Sequence, residues 1–313
     1  MKGKDLLSIT DLNADEIQML MDDAIDMKEN KWSSLLDRKI LALVFEKPSL
    51  RTRVSFEVAM RQLGGQVIYL SPAEVGLGKR EPASDVASVL SRFIDCIAAR
   101  TFSHKTTEEL ARYASVPVIN ALDDLEHPCQ ALADLLTIYE KKGDLNKLKV
   151  TYIGDGNNCA NSLMLICAIM GVNFSIATPE GYMVTDDMLK TAREYAKDSL
   201  AQIVTTTDPM EAAEGADAIY TDVWTSMGQE AETEKRRQIF APYQITMDIM
   251  RKAKPDAIFM HPLPAHHGEE VSEAVLDSPH SVVFDQAENR MHAQKALLAQ
   301  MLGGLDILIS KHK

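Results

Sequence analysis

Short, unbroken apolar runs alternate with amphipathic stretches along almost the whole of the 313-residue chain. Runs at Ile40–Phe45, Gln66–Leu70, Cys96–Ala99, Val116–Asn120, Lys149–Ile153, Asn173–Ala177, Ala201–Thr205, Asp217–Thr221, Asp256–His261 and Ser281–Phe284 predict strands. Most carry β-branched or aromatic residues without in–out alternation, as strands covered on both faces do. Between them lie helical patterns such as Pro128–Glu140, where Leu132, Leu135, Leu136 and Tyr139 recur at helical spacing. Strand and helix alternating in this way predict an α/β fold with parallel sheets.

The polar link Lys141-Lys-Gly-Asp-Leu-Asn-Lys147 suggests a domain boundary, with roughly five strands on either side. Two similar-sized domains are expected, each a parallel sheet flanked by helices: residues 1–142 joined by a final helix in 286–313, and residues 143–285. A cleft between two such domains is a common place for a small-molecule site.

Charge narrows the function. The chain has 33 Lys+Arg against 46 Asp+Glu, a net charge of −13, which argues against general nucleic-acid binding. The most apolar run, Leu163 to Val172, is too short to cross a bilayer, and Met1-Lys-Gly-Lys-Asp does not read as a signal peptide. Cys96, Cys129, Cys159 and Cys167 form no C-x-x-C pair, so reduced thiols in a cytoplasmic protein are expected, with no zinc site and no disulfide framework. Any anion site must therefore be local.

One stretch answers that description. In Phe45-Glu-Lys-Pro-Ser-Leu-Arg-Thr-Arg-Val-Ser-Phe-Glu57, Lys47, Arg51 and Arg53 stand beside Ser49 and Thr52 just after a predicted strand. Ser49 is a good N-cap for a helix ending at Gly64-Gly65, with Val54, Phe56, Val58, Met60 and Leu63 as its apolar positions. Free N–H groups at a helix start, with arginines close by, suit phosphate oxygens. A solvated face carrying an Arg53–Glu57 pair is the competing reading.

This segment resembles the carbamoyl-phosphate motif of the aspartate/ornithine carbamoyltransferase family, usually S-T-R-T-R, with Leu50 at the first threonine. The resemblance implies that Ser49, Leu50, Arg51, Thr52 and Arg53 hold the phosphate. Lys79, or Arg80, in Gly76-Leu-Gly-Lys-Arg-Glu81 would add a basic residue from a loop that can reach a neighbouring subunit in relatives. His127-Pro-Cys-Gln130 matches the family's H-P-x-Q, which implies His127 on the carbamoyl oxygen and Gln130 on the carbamoyl nitrogen. Arg100, at a strand end, matches the arginine on the carbonyl oxygen, and Arg290 of Ala287-Glu-Asn-Arg290 matches another carbamoyl-phosphate residue.

The acceptor side follows in the family's order. Gly154-Asp-Gly-Asn-Asn-Cys159 departs from a dinucleotide fingerprint at Cys159, and no strand-end acid stands at ribose distance. The resemblance instead implies that Asn158 binds the α-carboxylate of an amino-acid substrate. It places the substrate ammonium on Asp222, with Ser226 and Met227 completing the grip. Independently, no Lys or Arg occurs from Asp198 to Glu234, where nine Asp/Glu are scattered, which favours a cationic amino acid over a dicarboxylate.

His261-Pro-Leu-Pro264 closes the set. A metal cluster of His261, His266 and His267 is the alternative, but two prolines make the segment extended and no ligand spacing is recognisable. The family's ornithine-type members carry Cys where Pro262 stands, and its aspartate-type members carry Arg where Ala265 stands. Pro262 and Leu263 are thus expected to line the reacting amine.

The expected reaction moves a carbamoyl group from carbamoyl phosphate to the δ-amine of L-ornithine, with Thr52, Arg100, His127 and Pro262 nearest the chemistry. Neither metal nor organic cofactor is required, and a homotrimer or a multiple of it is implied. Another acceptor (putrescine or aspartate), a non-catalytic carbamoyl-phosphate-binding relative and a nucleotide-dependent dehydrogenase are the competing readings.

Overall fold

The computed structural model describes residues 1–77, 80–225 and 230–303. The chain divides into two compact units, Met1–Leu132 with the segment from Arg290 onward, and Ala133–Asn289. Both crossings fall inside helices, Pro128–Lys142 and Val283–Leu298, rather than in the polar link after Lys141.

The first unit holds a parallel four-stranded sheet in the order β2-β1-β3-β4, made of β1 (Ile40–Phe45), β2 (Gln66–Leu70), β3 (Cys96–Arg100) and β4 (Val118–Leu122). β1 and β3, in the centre, are buried along nearly their whole length, whereas the edge strand β2 is half exposed. Ala42, Val44, Ile97, Ala99 and Val118 pack with Val86, Ala87 and Leu110 from the flanking helices. Lys295, on the last helix, donates to the carbonyls of Met27 and Lys31 and to the Gln62 side chain, tying that helix into this unit.

The second unit holds a parallel five-stranded sheet in the order β7-β6-β5-β8-β9. Its strands are β5 (Lys149–Ile153), β6 (Asn173–Ala177), β7 (Ile203–Thr206), β8 (Ala218–Tyr220) and β9 (Ile258–Met260). Ile153, Ile219 and Phe259 pack with Trp224, Phe240 and Tyr243.

In an open, doubly wound parallel sheet the strand order reverses at one point, and the crevice outside the strands' carboxyl ends at that point is where ligands bind. In the first unit the reversal lies between β1 and β3, and in the second between β5 and β8. Those four strand ends lead into the Ser49 segment, Arg100, the Gly154 turn and Asp222.

The expected tenth strand at Ser281–Phe284 is not formed. Ser281 makes a single bridge to Phe259, and the helix Val283–Leu298 has already begun, with Gln286 N–H bonded to Val282 O at 2.9 Å. An apolar run of this length is equally the first turn of a buried helix, so its period does not discriminate the two. Val54 is also corrected: it lies on the outer face of its helix, 48% exposed, while Phe56, Met60 and Leu63 are buried. Among the described residues no helix is long and apolar enough to cross a membrane.

Candidate active site

In the first unit the Ser49–Arg53 segment, Arg100 and His127 stand at or just beyond the ends of β1, β3 and β4. Helix Leu50–Gln62 starts from Ser49, whose side chain accepts the Thr52 N–H at 3.3 Å. Ser49 Oγ in turn donates to Thr52 Oγ1 at 3.0 Å, and Arg290 donates to the same oxygen at 2.7 Å. Leu50, in the first helical position, is 76% exposed, so what it offers an anion is its backbone N–H. Arg51 is half-buried without a hydrogen-bond or ion-pair partner among the described residues, and burial alone pulls its pKa down.

Arg53 is the exception within the motif. Its guanidinium donates to Glu57 at 2.8 Å and lies over the Tyr69 ring at 4.0 Å, which realises the surface-pair reading. Lys47, two residues before Ser49, is buried beside the Phe102 ring at 5.2 Å and makes no hydrogen bond or ion pair among the described residues. Burial, and then the Arg100 charge, hold its ammonium below the usual lysine range.

Arg100 ends β3 at a register shift: Ala99 pairs with Asn120 but Arg100 with Leu122, so the bulge re-aims this buried side chain. His127 accepts the Gln130 and Ala131 N–H groups on its carbonyl as the helix Pro128–Lys142 begins. The turn before it is organised by the buried Asp123 carboxylate, which accepts from His104 Nδ1, Asn120 Nδ2, Leu125 N and Glu126 N. Burial, then the charges of Arg290, Arg100 and Lys47, hold the His127 imidazole well below the usual histidine range, so it is neutral at neutral pH. Gln130 is buried on the same turn.

In the second unit, β5 leads into Gly154, whose φ of +145° is open to glycine and strained for other residues. A Cβ at Gly156 would sit 2.4 Å from Val184 N and 2.8 Å from Tyr182 O. The second glycine of this turn is thus required by the chain's own 182–184 segment, and no pyrophosphate is needed to explain it. Asn157 caps the helix Asn158–Met170, and Asn158 is its first residue. Asn157 Nδ2 also donates to Asp222 Oδ2 at 2.8 Å, while Val223 N–H bonds Asp222 Oδ1 at 2.8 Å. Asp222 is buried just beyond β8.

The two units and their sites meet a matching pair of families. Residues 4–140 match the description "Aspartate/ornithine carbamoyltransferase, carbamoyl-P binding domain", and residues 146–301 match "Aspartate/ornithine carbamoyltransferase, Asp/Orn binding domain". The chain belongs to the aspartate/ornithine carbamoyltransferase family. Among its members, the anabolic ornithine carbamoyltransferase of Pyrococcus furiosus is 53% identical over 307 residues, covering 97% of this chain and 98% of that one. The catabolic ornithine carbamoyltransferase of Thermoplasma volcanium is 50% identical over 304 residues, covering 96% and 99%. A solved structure of ornithine carbamoyltransferase from Pyrococcus furiosus superimposes with a TM-score of 0.94 at 52% identity, covering 97% of this chain and 99% of that one.

The family's H-x-L-P segment is held by its histidine. His261 is fully buried, and its Nδ1 accepts the Leu263 N–H at 2.9 Å. The ring proton therefore sits on Nε2, which faces Glu270 Oε1 at 3.1 Å. Leu263 is kept at φ +57°, a left-handed backbone that a leucine adopts only under such constraint. Pro262 is buried and offers no N–H.

His266, Glu269 and Glu270 bring ligand atoms within 4.8 Å of one another, a grouping of carboxylates with a histidine that sequence spacing did not suggest. Both acids are already committed, Glu269 to Arg237 at 2.5 Å and Glu270 to His261 and to the His266 N–H at 2.6 Å. Of the other expected residues, Lys79, Ser226 and Met227 lie outside the described residues, and Arg80 donates to the Glu74 carbonyl at 3.3 Å. Lys47 and Asn157 received no role from the sequence. The N-cap preference of Asn was the available signal for the second.

Proposed function

We propose that this chain transfers the carbamoyl group of carbamoyl phosphate to the δ-amine of L-ornithine, giving L-citrulline and phosphate. The observation that carries the reading is the buried Asp222 carboxylate at the strand-order reversal of the second sheet, in a segment from Asp198 to Glu234 without Lys or Arg. A buried anion in an acidic setting suits an amino acid with an extra amine and repels a second carboxylate. The ornithine carbamoyltransferases that match across nearly their whole length support the same acceptor.

In this reading Ser49, the N–H groups from Leu50 onward, Arg51 and Arg290 hold the phosphate end of the donor. Lys79 is proposed to join them, and Arg53, engaged by Glu57 and Tyr69, is not. Thr52 Oγ1 accepts from both Ser49 and Arg290, so its own O–H is turned outward as a donor. Thr52, Arg100 and His127 would face the carbonyl oxygen, with Gln130 on the carbamoyl nitrogen. Donors preorganised around an oxygen that gains charge each supply about 3–4 kcal/mol.

The δ-amine, deprotonated, attacks the carbonyl carbon. The tetrahedral adduct expels phosphate, which takes up the amine's proton, so no dedicated general base is needed. Asn158, at a helix start, would take the α-carboxylate and Asp222 the α-ammonium, with Ser226, Met227, Pro262 and Leu263 completing the acceptor pocket. Donor binding falls to the first unit and acceptor binding to the second.

A homotrimer belongs to the same proposal. It is supported by apolar side chains left outward on the first unit, Leu50 at 76%, Phe93 at 67% and Val54 at 48% exposure. A cytoplasmic setting fits four buried, unpaired cysteines.

The deciding experiment offers ornithine, putrescine and aspartate side by side with carbamoyl phosphate and measures ureido product. Ornithine is expected to be the substrate. Pro262, which brings neither thiol nor N–H to the pocket wall, gives the putrescine arm its purpose. Product from putrescine or aspartate alone moves the assignment to that acceptor, and no product from any of them overturns the enzyme reading.

A further inference from the structure

We propose that Asn157 is a positioning residue that sets both charged-group contacts of the acceptor from one side chain. The proposal rests on the acceptor reading above, in which Asn158 takes the α-carboxylate and Asp222 the α-ammonium.

The orientation of the Asn157 amide follows from its partners. Its Oδ1 lies 3.0 Å from Cys159 N, 3.1 Å from Ala160 N and 3.3 Å from Tyr152 Oη, all of which donate to it. Burial and the nearby Asp222 and other acids keep the Tyr152 phenol well above its usual range, so Tyr152 retains its proton. With three donors on the oxygen, the amide nitrogen must face the other way, and it does so towards Asp222 Oδ2 at 2.8 Å.

The two ends of this amide do different work. The oxygen end caps the helix Asn158–Met170 and so holds the first-turn N–H groups and Asn158 in place. The nitrogen end fixes one oxygen of Asp222, whose other oxygen is held by its own Val223 N–H. A carboxylate held at both oxygens presents its remaining lone pairs in one direction. Tyr152 is itself braced by Tyr220, stacked at 5.7 Å, and Tyr220 Oη bonds Asp134 at 3.1 Å. The bracket is therefore built on buried, stacked groups of the second unit.

Serine separates the two ends. It caps a helix about as well as asparagine but is too short to reach Asp222. Asn157→Ser is expected to raise the KM for ornithine about tenfold, the scale of one hydrogen bond to a charged group, while KM for carbamoyl phosphate stays within about twofold and the melting temperature near that of the wild type. Asn157→Ala removes both ends and is expected to lower the melting temperature as well. The decisive measurement is a double-mutant cycle with Asp222→Asn. If Asn157 acts through Asp222, the double variant binds ornithine no more weakly than Asp222→Asn alone.

The proposal is overturned if Asn157→Ser leaves the ornithine KM unchanged, raises both KM values alike, or adds its full effect in the Asp222→Asn background. The acceptor reading fails separately. If the wild type makes no citrulline, or Asp222→Asn alone leaves the ornithine KM unchanged, that reading falls and this proposal falls with it.

Discussion

Arg290 donates to the hydroxyl of Thr52 at 2.7 Å, joining the last helix to the first turn of the Leu50–Gln62 helix across 238 residues of sequence. Because Ser49 supplies a second hydrogen bond to that oxygen, the Thr52 proton has one remaining direction, away from both. Arg290 thus sets the polarity of a hydroxyl as well as adding charge. Arg290→Met should lower kcat about a hundredfold or more, the scale seen when one preorganised donor is lost. Thr52→Val should do the same, and the double variant should be no worse than the more severe single one. Steady-state kinetics of the three proteins check this, and additive losses would show that the two residues act independently.

Lys47 should matter to the donor and cost the fold something. Its ammonium is buried among Arg100 and the Phe102 ring, and burial is the main influence that lowers its pKa. Removing the charge relieves desolvation, so Lys47→Met should melt at or above the wild-type temperature. The same change removes a cation beside Arg100, a residue proposed to meet the donor, and KM for carbamoyl phosphate should rise about tenfold. A thermal melt and donor titration on one preparation read both signs. A lower melting temperature with unchanged donor KM would make Lys47 a packing residue.

The pH dependence of the rate should belong to the substrate. A primary alkyl amine has a pKa of about 10.4, so the reactive fraction of the δ-amine grows about tenfold per unit below that value. His127 is held neutral by burial and by Arg290, Arg100 and Lys47, and should add no inflection above pH 6.5. Accordingly, kcat/KM for ornithine should climb steadily between about pH 6.5 and 8.5. His127→Asn should lower the whole line without bending it. A profile flat across this range would contradict attack by a free amine.

What the sequence made legible was local. Ser49 caps its helix as expected because a cap bonds three residues ahead, within one window of reading. The strands β1, β5 and β6 begin and end where their apolar runs do, since both faces of each run are buried, and β2 does so as well although, as an edge strand, it is half exposed. Contacts across the fold were invisible. Nothing near Asn157 announces Asp222, 65 residues on, and nothing near Thr52 announces Arg290. Gly156 shows a subtler gap: its glycine looks like a phosphate turn until the 182–184 segment is seen against it. Short elements failed for a further reason, as at Ser281–Phe284, where strand and helix share one composition.

Stability should carry its own pH signature, through His104. Its Nδ1 meets the buried Asp123 carboxylate at 2.7 Å, and that hydrogen bond, with charge from Asp123, Glu108 and Glu126, raises the imidazole pKa above 6.5. A folded pKa above the unfolded one means that the folded protein binds the extra proton. The contribution is therefore complete below about pH 6.5, the unfolded value, and is lost as pH rises through the higher folded value. His104→Gln should cost about 1.5–3 kcal/mol at pH 5.5, the scale of a hydrogen bond to a charged group, and clearly less at pH 9. Urea denaturation of both proteins at the two pH values measures the difference. The Asp123 turn leads directly into His127, so the same variant should also lose kcat more than it loses affinity for ornithine. A stability gap that stays constant from pH 5.5 to 9 would mean that His104 supports this turn as a neutral hydrogen-bond donor and not as a charge.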